Sequence, residues 1–398
     1  MRVLILLLWI LVSLFLSPAS LTVNREEALP RLLMKAAESI VDPGFTMDYE
    51  AQMMAKEENL EITGGLGADS IRGQMLENGD SSGNGKETGE APESTAGETE
   101  SSEETNSESQ EGNNTVTTGG EIVPPSEAVS AQVLAENFYS KEQLNDVQYL
   151  LDHVFCLDPT CTVGGDILNG ETFLNKDLKL TGTDAPQVLI YHTHSQEEYA
   201  DSTPGDPSMT VQGVGDELAR ILTEKYGLSV LHNTSHFDMM EGELERSRAY
   251  SYAKQEISQI LEENPTIQVV IDLHRDGVPD DLHLATEVNG KSTAKIMFFN
   301  GLSQDLDGPI ERLPNPYRED NLAFSFQMYL QAKAAYPGFC RDIYLKGYRY
   351  NLHFRPRSVL LEVGAQTNTY EEAVNAMEPF ADILTKVILP AETGNGED

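Results

Sequence analysis

Basic residues are scarce in this chain of 398 residues: 27 Lys and Arg stand against 65 Asp and Glu, a formal net charge of −38. That shortage excludes nucleic acid as the main partner, because phosphate binding draws its free energy from Lys and Arg displacing counterions. It also opposes adsorption on anionic lipid, so any membrane attachment has to come from apolar residues. Cysteine is scarcer still. Cys156, Cys161 and Cys340 are too few for a disulfide framework and too scattered for a CxxC zinc site. A Cys156–Cys161 bridge is open in an oxidising compartment, but buried free thiols are the simpler expectation. No Walker or GxGxxG loop is present, and Cys340 follows Pro-Gly-Phe, off any strand end, which argues against a thiol nucleophile. The one GxSxG match, Gly79 to Gly83, lacks the strand and helix of a nucleophile elbow.

Residues 64–127 lack aromatic side chains altogether and have few large aliphatics. Such a stretch cannot bury enough apolar surface to offset an ordering cost of roughly 1–2 kcal/mol per residue, so it reads as a disordered acidic linker. Its carboxylates repel one another and extend it as a spacer. Ahead of it, Arg2 precedes the apolar run 3–16, followed by Ser17, Pro18 and Ala19. The run is short for a free span of about 20 residues and suits the core of a secretory signal, while residues 1–23 together are long enough for an anchor. Export is expected either way: a retained span leaves the domain tethered outside the cytoplasm, and cleavage leaves it secreted. Residues 24–63 carry Leu29, Leu32, Leu33, Ala36 and Ile40 at helical spacing, a short amphipathic segment broken at Pro43-Gly44.

Apolar periodicity resumes after the linker. Residues 128–185 read as a lead-in segment packing on a domain that spans 186–398. Strand-like runs at 188–191, 228–232, 268–273, 295–300 and 358–363 alternate with helical patterns at 215–226, 242–263, 319–336 and 370–388. Alternation of this kind predicts an α/β fold, a mostly parallel sheet with helices on both faces. In such sheets the working residues gather beyond the carboxyl ends of the strands.

Three strand ends stand out. The first run leads into His192-Thr193-His194-Ser195-Gln196-Glu197-Glu198, the third into His274-Arg275-Asp276-Gly277, and the last carries Glu362-Val363-Gly364. Imidazoles and a carboxylate with room for water meet the needs of a catalytic Zn²⁺, which activates water for amide hydrolysis without a covalent intermediate. A further carboxylate outside the metal shell is needed as general base and acid. His232, His236 and His283 read as structural.

These blocks carry a resemblance. Residues 188–199 (VLIYHTHSQEEY), 269–277 (VVIDLHRDG), 297–302 (MFFNGL), 313–326 (LPNPYREDNLAFSF), 343–351 (IYLKGYRYN) and 355–369 (RPRSVLLEVGAQTNT) resemble the stage II sporulation protein P family, in order, over about 134–390. The resemblance implies a zinc amidase-like fold and a membrane-anchored peptidoglycan hydrolase of endospore-forming Firmicutes. Its expected activity is that of an N-acetylmuramoyl-L-alanine amidase, with endopeptidase activity on cross-links. It further implies a role in septal wall degradation and engulfment from the mother-cell septal membrane, beside partners of the stage II sporulation protein D and stage II sporulation protein M types.

By similarity to the wider zinc amidases, His194 and His274 are expected as metal ligands and Glu362 as the catalytic carboxylate. Those amidases take a ligand Glu from the start of the helix after the first strand. Here Val211 stands near that position and Glu217 follows over a turn late. Glu197 therefore takes that place, with Glu198, Glu217 and His192 as alternatives. Arg275, Arg355 and Arg357 are expected to bind stem-peptide carboxylates, since a guanidinium fork matches a carboxylate. His353 is expected to line the groove or steady an oxyanion. A tethered peptidoglycan-binding or scaffold protein without catalysis is the competing expectation.

Overall fold

The structure is a computed structural model that describes residues 114–390, apart from 126–128, 183, 241–242, 245 and 247. The expected signal or anchor, the amphipathic segment and the linker up to 113 lie outside the described residues. Among the described residues no helix is long and apolar enough to cross a membrane.

Strand β1 (Asn114–Thr117) comes first, then α1 (Ala131–Phe138), α2 (Lys141–Leu144), α3 (Val147–His153), β2 (Phe155–Leu157) and α4 (Gly170–Leu174). The alternating part begins with β3 (Val188–Tyr191), α5 (Val211–Tyr226), β4 (Val230–Asn233), the short pair β5 (Met239–Met240) and β6 (Glu243–Leu244), α6 (Ala249–Glu263) and β7 (Val269–Asp276). A hairpin of β8 (Ala285–Val288) and β9 (Lys291–Ala294) precedes β10 (Ile296–Gly301) and α7 (Arg318–Ala335). The chain ends with β11 (Ile343–Lys346), β12 (Ser358–Ala365), α8 (Tyr370–Asn375) and α9 (Met377–Ile388).

Eight strands form one sheet in the order β1-β4-β3-β7-β12-β10-β11-β2. It is mostly parallel, with β1 antiparallel to β4 and β10 antiparallel to β12. Side chains alternate along each strand. Val269, Ile271 and Leu273 of β7 join the core under α5, α7 and α9, whereas Val270 joins the core under α6. The sheet is thus covered on both faces, as the α/β pattern requires.

Local chemistry sets the helix bounds. Thr210 caps α5 by accepting from the Gln212 amide, which starts the helix four residues ahead of the expected 215, and Gly227 closes it at φ 71°. The pattern at 370–388 predicts one helix and two are found, divided at Ala376. Pro379 is the reason: its ring is tolerated in the first turn of α9 and clashes with a helix continued from α8.

Two expectations are corrected. Residues 114–117, placed in the disordered linker by composition, form an edge strand against β4, and the Val123 amide donates to the Tyr226 carbonyl at 3.0 Å. An edge strand is held by main-chain pairing, so it needs little apolar surface, and Val116 is half exposed. The three cysteines are free, but only Cys161 is buried; Cys156 is exposed and Cys340 intermediate. Residues 129–182 supply α1 to α4 and β2, which pairs with β11 at the far edge of the sheet.

Candidate active site

Three neighbouring strands at the centre of the sheet, β3, β7 and β12, bring their carboxyl ends together. On β7, Asp272, His274 and Asp276 share one face because they are two residues apart. Glu362 of β12 lies directly beside His274 in the parallel register. Beyond β3 the chain alternates: His192 turns to the α5 face and His194 to the α6 face. His194 packs edge-on against His274, ring centroids 5.3 Å apart, and against Tyr250 of α6 at 5.6 Å.

The loop after β3 is pinned from several sides. The Ser195 hydroxyl donates to Asp238 at 2.7 Å, the Val211 amide to the Glu197 carbonyl at 3.1 Å, and the Ala200 amide to the Asn368 carbonyl at 2.9 Å. Glu197 is thereby carried under β7. Its Oε1 accepts from Arg246 at 2.5 Å and its Oε2 from the Arg275 amide at 2.9 Å, with His274 Nδ1 3.5 Å from Oε2. His194, Glu197, His274 and Glu362 are all buried in one cluster.

Asp272 orders this cluster. One carboxylate oxygen accepts from the Thr193 amide and from His274 Nε2, each at 2.8 Å, and the other accepts from the Thr193 hydroxyl at 2.6 Å. A single buried carboxylate therefore joins the end of β3 to β7. It fixes the His274 proton on Nε2 and leaves Nδ1 facing Glu197. Sequence reasoning missed Asp272, although its position two residues before His274 on a strand places both side chains on one face. Arg246, Tyr250 and Asp276 were also missed, and only Asp276 had the same signal.

Charge follows geometry. Burial drives the Glu362 carboxyl well above the carboxylate range, Asp276 and Glu197 add to this, and His274 and Arg341 only partly oppose it. Burial would also raise Glu197, but the adjacent His274 ring and the charge of Arg246 hold it well below its ordinary value. Burial would lower His274, yet Asp272 and Glu197 outweigh that and hold its imidazolium well above the ordinary value.

The alternatives for the third ligand are placed elsewhere. His192 donates from Nδ1 to the Leu273 carbonyl and accepts at Nε2 from His232, both at 2.8 Å, so neither ring nitrogen is free for a metal. His232 in turn meets Asp216 at 2.9 Å. Glu198 accepts from the Gly205 amide, and Glu217 pairs with Arg220 on the outer side of α5.

Of the expected substrate residues, only Arg275 adjoins the cluster, donating to the Glu198 carbonyl at 2.9 Å. Arg355 and Arg357 are not brought there. They precede β12, at the amino end of the sheet, and the five residue steps from Arg357 to Glu362 span about 16 Å. Arg355 instead donates to the carbonyls of Ile267 and Leu261, and Arg357 to the Gln268 side chain. His353 packs on Phe354, centroids 4.8 Å apart, rather than on the cluster.

Among the described residues no three His, Cys, Asp or Glu side chains are grouped as a bound metal ion would require. The donor chemistry nevertheless fits zinc. Two donors on one zinc ion stand roughly 3.3 Å apart, from bonds of about 2.0–2.1 Å at tetrahedral angles. His274 Nδ1, a buried atom with no hydrogen bond, lies 3.5 Å from Glu197 Oε2.

Fold and site together define a class: an α/β protein whose buried histidine–carboxylate cluster lies beyond the carboxyl ends of three central parallel strands. The chain belongs to the stage II sporulation protein P family, whose model matches residues 50–385. It is 28% identical over 232 residues to stage II sporulation protein P of Bacillus subtilis (strain 168), covering 54% of this chain and 55% of that protein. The chain thus spans about half the length of the curated relative it matches. Among solved structures it is similar to N-acetylmuramoyl-L-alanine amidase AmiC2 of Nostoc punctiforme, with 14% identity, a TM-score of 0.34, and 52% of this chain and 98% of that one covered. It is also similar to the CwlD amidase from Clostridioides difficile, solved with the GerS lipoprotein, at 13% identity and a TM-score of 0.34, covering 50% and 96% of the two chains.

Proposed function

We propose that the chain is a zinc-dependent peptidoglycan hydrolase of sporulation that cleaves the amide between N-acetylmuramic acid and L-alanine of the stem peptide. The observation that carries the reading is the buried cluster in which His194, Glu197 and His274 converge with Glu362 beside them. Family membership supports the sporulation setting. His194, Glu197 and His274 would hold the metal, which when bound polarises a carbonyl and acidifies water.

The chain's own residues do the rest. Asp272 holds His274 in one tautomer. Glu362, whose burial and neighbouring carboxylates raise its proton affinity, takes a proton from the attacking water. As the C–N bond breaks, the same carboxyl returns that proton to the leaving amine nitrogen. Arg275 keeps Glu197 in place through its amide. The proposal extends to cleavage of peptide cross-links and to action in septal wall degradation during engulfment. It also includes tethering of the domain outside the cytoplasm by residues 1–23, beside partners of the stage II sporulation protein D and M types.

The test is digestion of purified peptidoglycan by the full chain, with chelator and with zinc repletion, reading products by mass spectrometry. Release of intact stem peptides that chelator abolishes and zinc restores is expected; cleaved cross-links without that release would make the chain a peptidase. A second reading, a peptidoglycan-binding protein without catalysis, is favoured by the closure of Glu197 by Arg246 and Arg275. It predicts muropeptide binding with no products from zinc-loaded protein.

A further inference from the structure

Glu197 and the two residues before it are gripped by one stretch of chain. Asp238, ahead of β5 and fully buried, accepts from the Ser195 hydroxyl at 2.7 Å and from the Gln196 amide at 3.2 Å. Arg246, beyond β6, donates to Glu197 Oε1 at 2.5 Å. Residues 195, 196 and 197 are thus held in succession from the two sides of the β5–β6 pair. Such bracing has a physical reason. A functional side chain on a loop is placed less exactly than one on a helix or strand, and Glu197 sits in the loop after β3.

The two oxygens of Glu197 are used differently. Oε1 faces Arg246, whereas Oε2 accepts from the Arg275 amide at 2.9 Å and lies 3.5 Å from His274 Nδ1. An ionised carboxylate has about four lone-pair sites, two on each oxygen, so Oε2 keeps one after the amide is served. Turning the carboxyl group over would break a charge-assisted hydrogen bond at a side chain only 4% exposed, which opposes the exchange of the two oxygens. The distinction matters to a zinc site. A catalytic zinc keeps a place for water only while its three protein ligands take one place each, and a carboxylate bound through both oxygens would fill the fourth.

We propose that Arg246 is a positioning residue for Glu197: it holds Oε1, so that Oε2 alone is turned to His274 Nδ1 and the carboxylate would ligate through one oxygen. The proposal rests on the zinc ligands of the hydrolase reading above. It gives Arg246 the opposite role from the closure invoked for a binding protein without catalysis.

The test measures zinc affinity of the full chain by chelator competition and the visible absorption of the same chain loaded with cobalt, which is stronger for four-coordinate than for five-coordinate metal. Arg246→Met should lower zinc affinity about 10- to 100-fold, as for other groups that orient a metal ligand, and should weaken the cobalt band as Oε1 becomes free to join. Arg246→Lys, which keeps a charged donor, should recover most of both. Arg248→Met, an equal loss of charge two residues on, should change neither. Unchanged or tighter zinc binding in Arg246→Met overturns the proposal, and tighter binding would make Arg246 a competitor of the metal. A weaker affinity with an unaltered cobalt band overturns it as well, since a merely loosened fold gives that result. An equal fall in Arg248→Met does the same. In each of these cases the unsubstituted chain still binds zinc and the hydrolase reading stands; an unsubstituted chain that binds neither zinc nor cobalt refutes that reading and the proposal with it.

Discussion

Asp272 accepts from the imidazole of His274 on its own strand and from both the amide and the hydroxyl of Thr193 beyond β3, so one carboxylate joins two parts of the site's frame. Asp272→Asn keeps the shape, since the amide oxygen still accepts from His274 and the Thr193 hydroxyl can accept from the new NH₂ group, but it removes the charge. Zinc affinity, measured by chelator competition, is expected to fall about 10- to 100-fold, as for other carboxylates that orient a metal-bound histidine. Unchanged affinity would mean that Asp272 only packs. Glu362 has the opposite profile. Its role is proton transfer, so Glu362→Gln is expected to retain zinc and lose about 10²- to 10⁴-fold in stem-peptide release. Zinc loss in that variant would make Glu362 a ligand instead.

Elements hold these residues in register, and two of them can be tested directly. Gly215 lets α5 approach the sheet: a Cβ there would lie 2.7 Å from His232 Nε2 and 2.8 Å from His192 Nε2. Gly215→Ala should therefore destabilise by about 1–3 kcal/mol in denaturant titration, against the usual helix-favouring effect of alanine. At the other end, β12 bulges at Gly364 (φ 62°), and the Asn368 side chain accepts from the Ala365 amide. Asn368 is braced in turn by Glu372, which also caps α8 and accepts from Ser292 and His283. Burial opposes the charge of Glu372, but these hydrogen bonds win and bring its carboxyl down to about 2. A depressed carboxylate stabilises the fold fully above its unfolded value and loses that contribution as the pH falls through the folded one. Stability should thus decline between about pH 4.5 and 2, and Glu372→Gln should cost about 1–2 kcal/mol at pH 7 and flatten that limb. The strands that matter were legible because a buried parallel sheet writes continuous apolar runs: 188–191 coincides with β3, and 358–363 falls within β12. Strands β1, β2 and β11 were not, because β1 and β2 are short edge strands selected by backbone pairing, and β11, one place in from β2, is only four residues long. α6 starts at Ala249, seven residues after the expected 242, and Glu243 and Leu244 pair as β6 with β5 instead.

At the scale of the molecule, the residues of the candidate site come from chain positions almost 170 apart, and only the sheet order makes them neighbours. Their position at strand ends was legible, since a strand that runs into His or Glu announces itself. Their partners were less so: which side of the sheet each side chain faces, and which end of β12 Arg355 and Arg357 occupy, depends on register and strand direction. Tyr250 and Arg246 reach the site from a different layer and left no local signal. This arrangement has a thermodynamic consequence. An ion held by His194, Glu197 and His274 ties the end of β3 to β7, so it binds the folded chain and not the unfolded one. Zinc at 100 times its dissociation constant should then add about 2.7 kcal/mol, a rise of roughly 5–10 °C in unfolding temperature for a domain of this size. His274→Ala should abolish the rise and Glu362→Gln should preserve it, since only the first removes a donor. Calorimetry of the full chain across a zinc titration reads this without any substrate. A flat response in the unsubstituted chain would refute the ligand assignment, whatever the fate of peptidoglycan, because three donors that converge only in the fold must couple metal binding to folding.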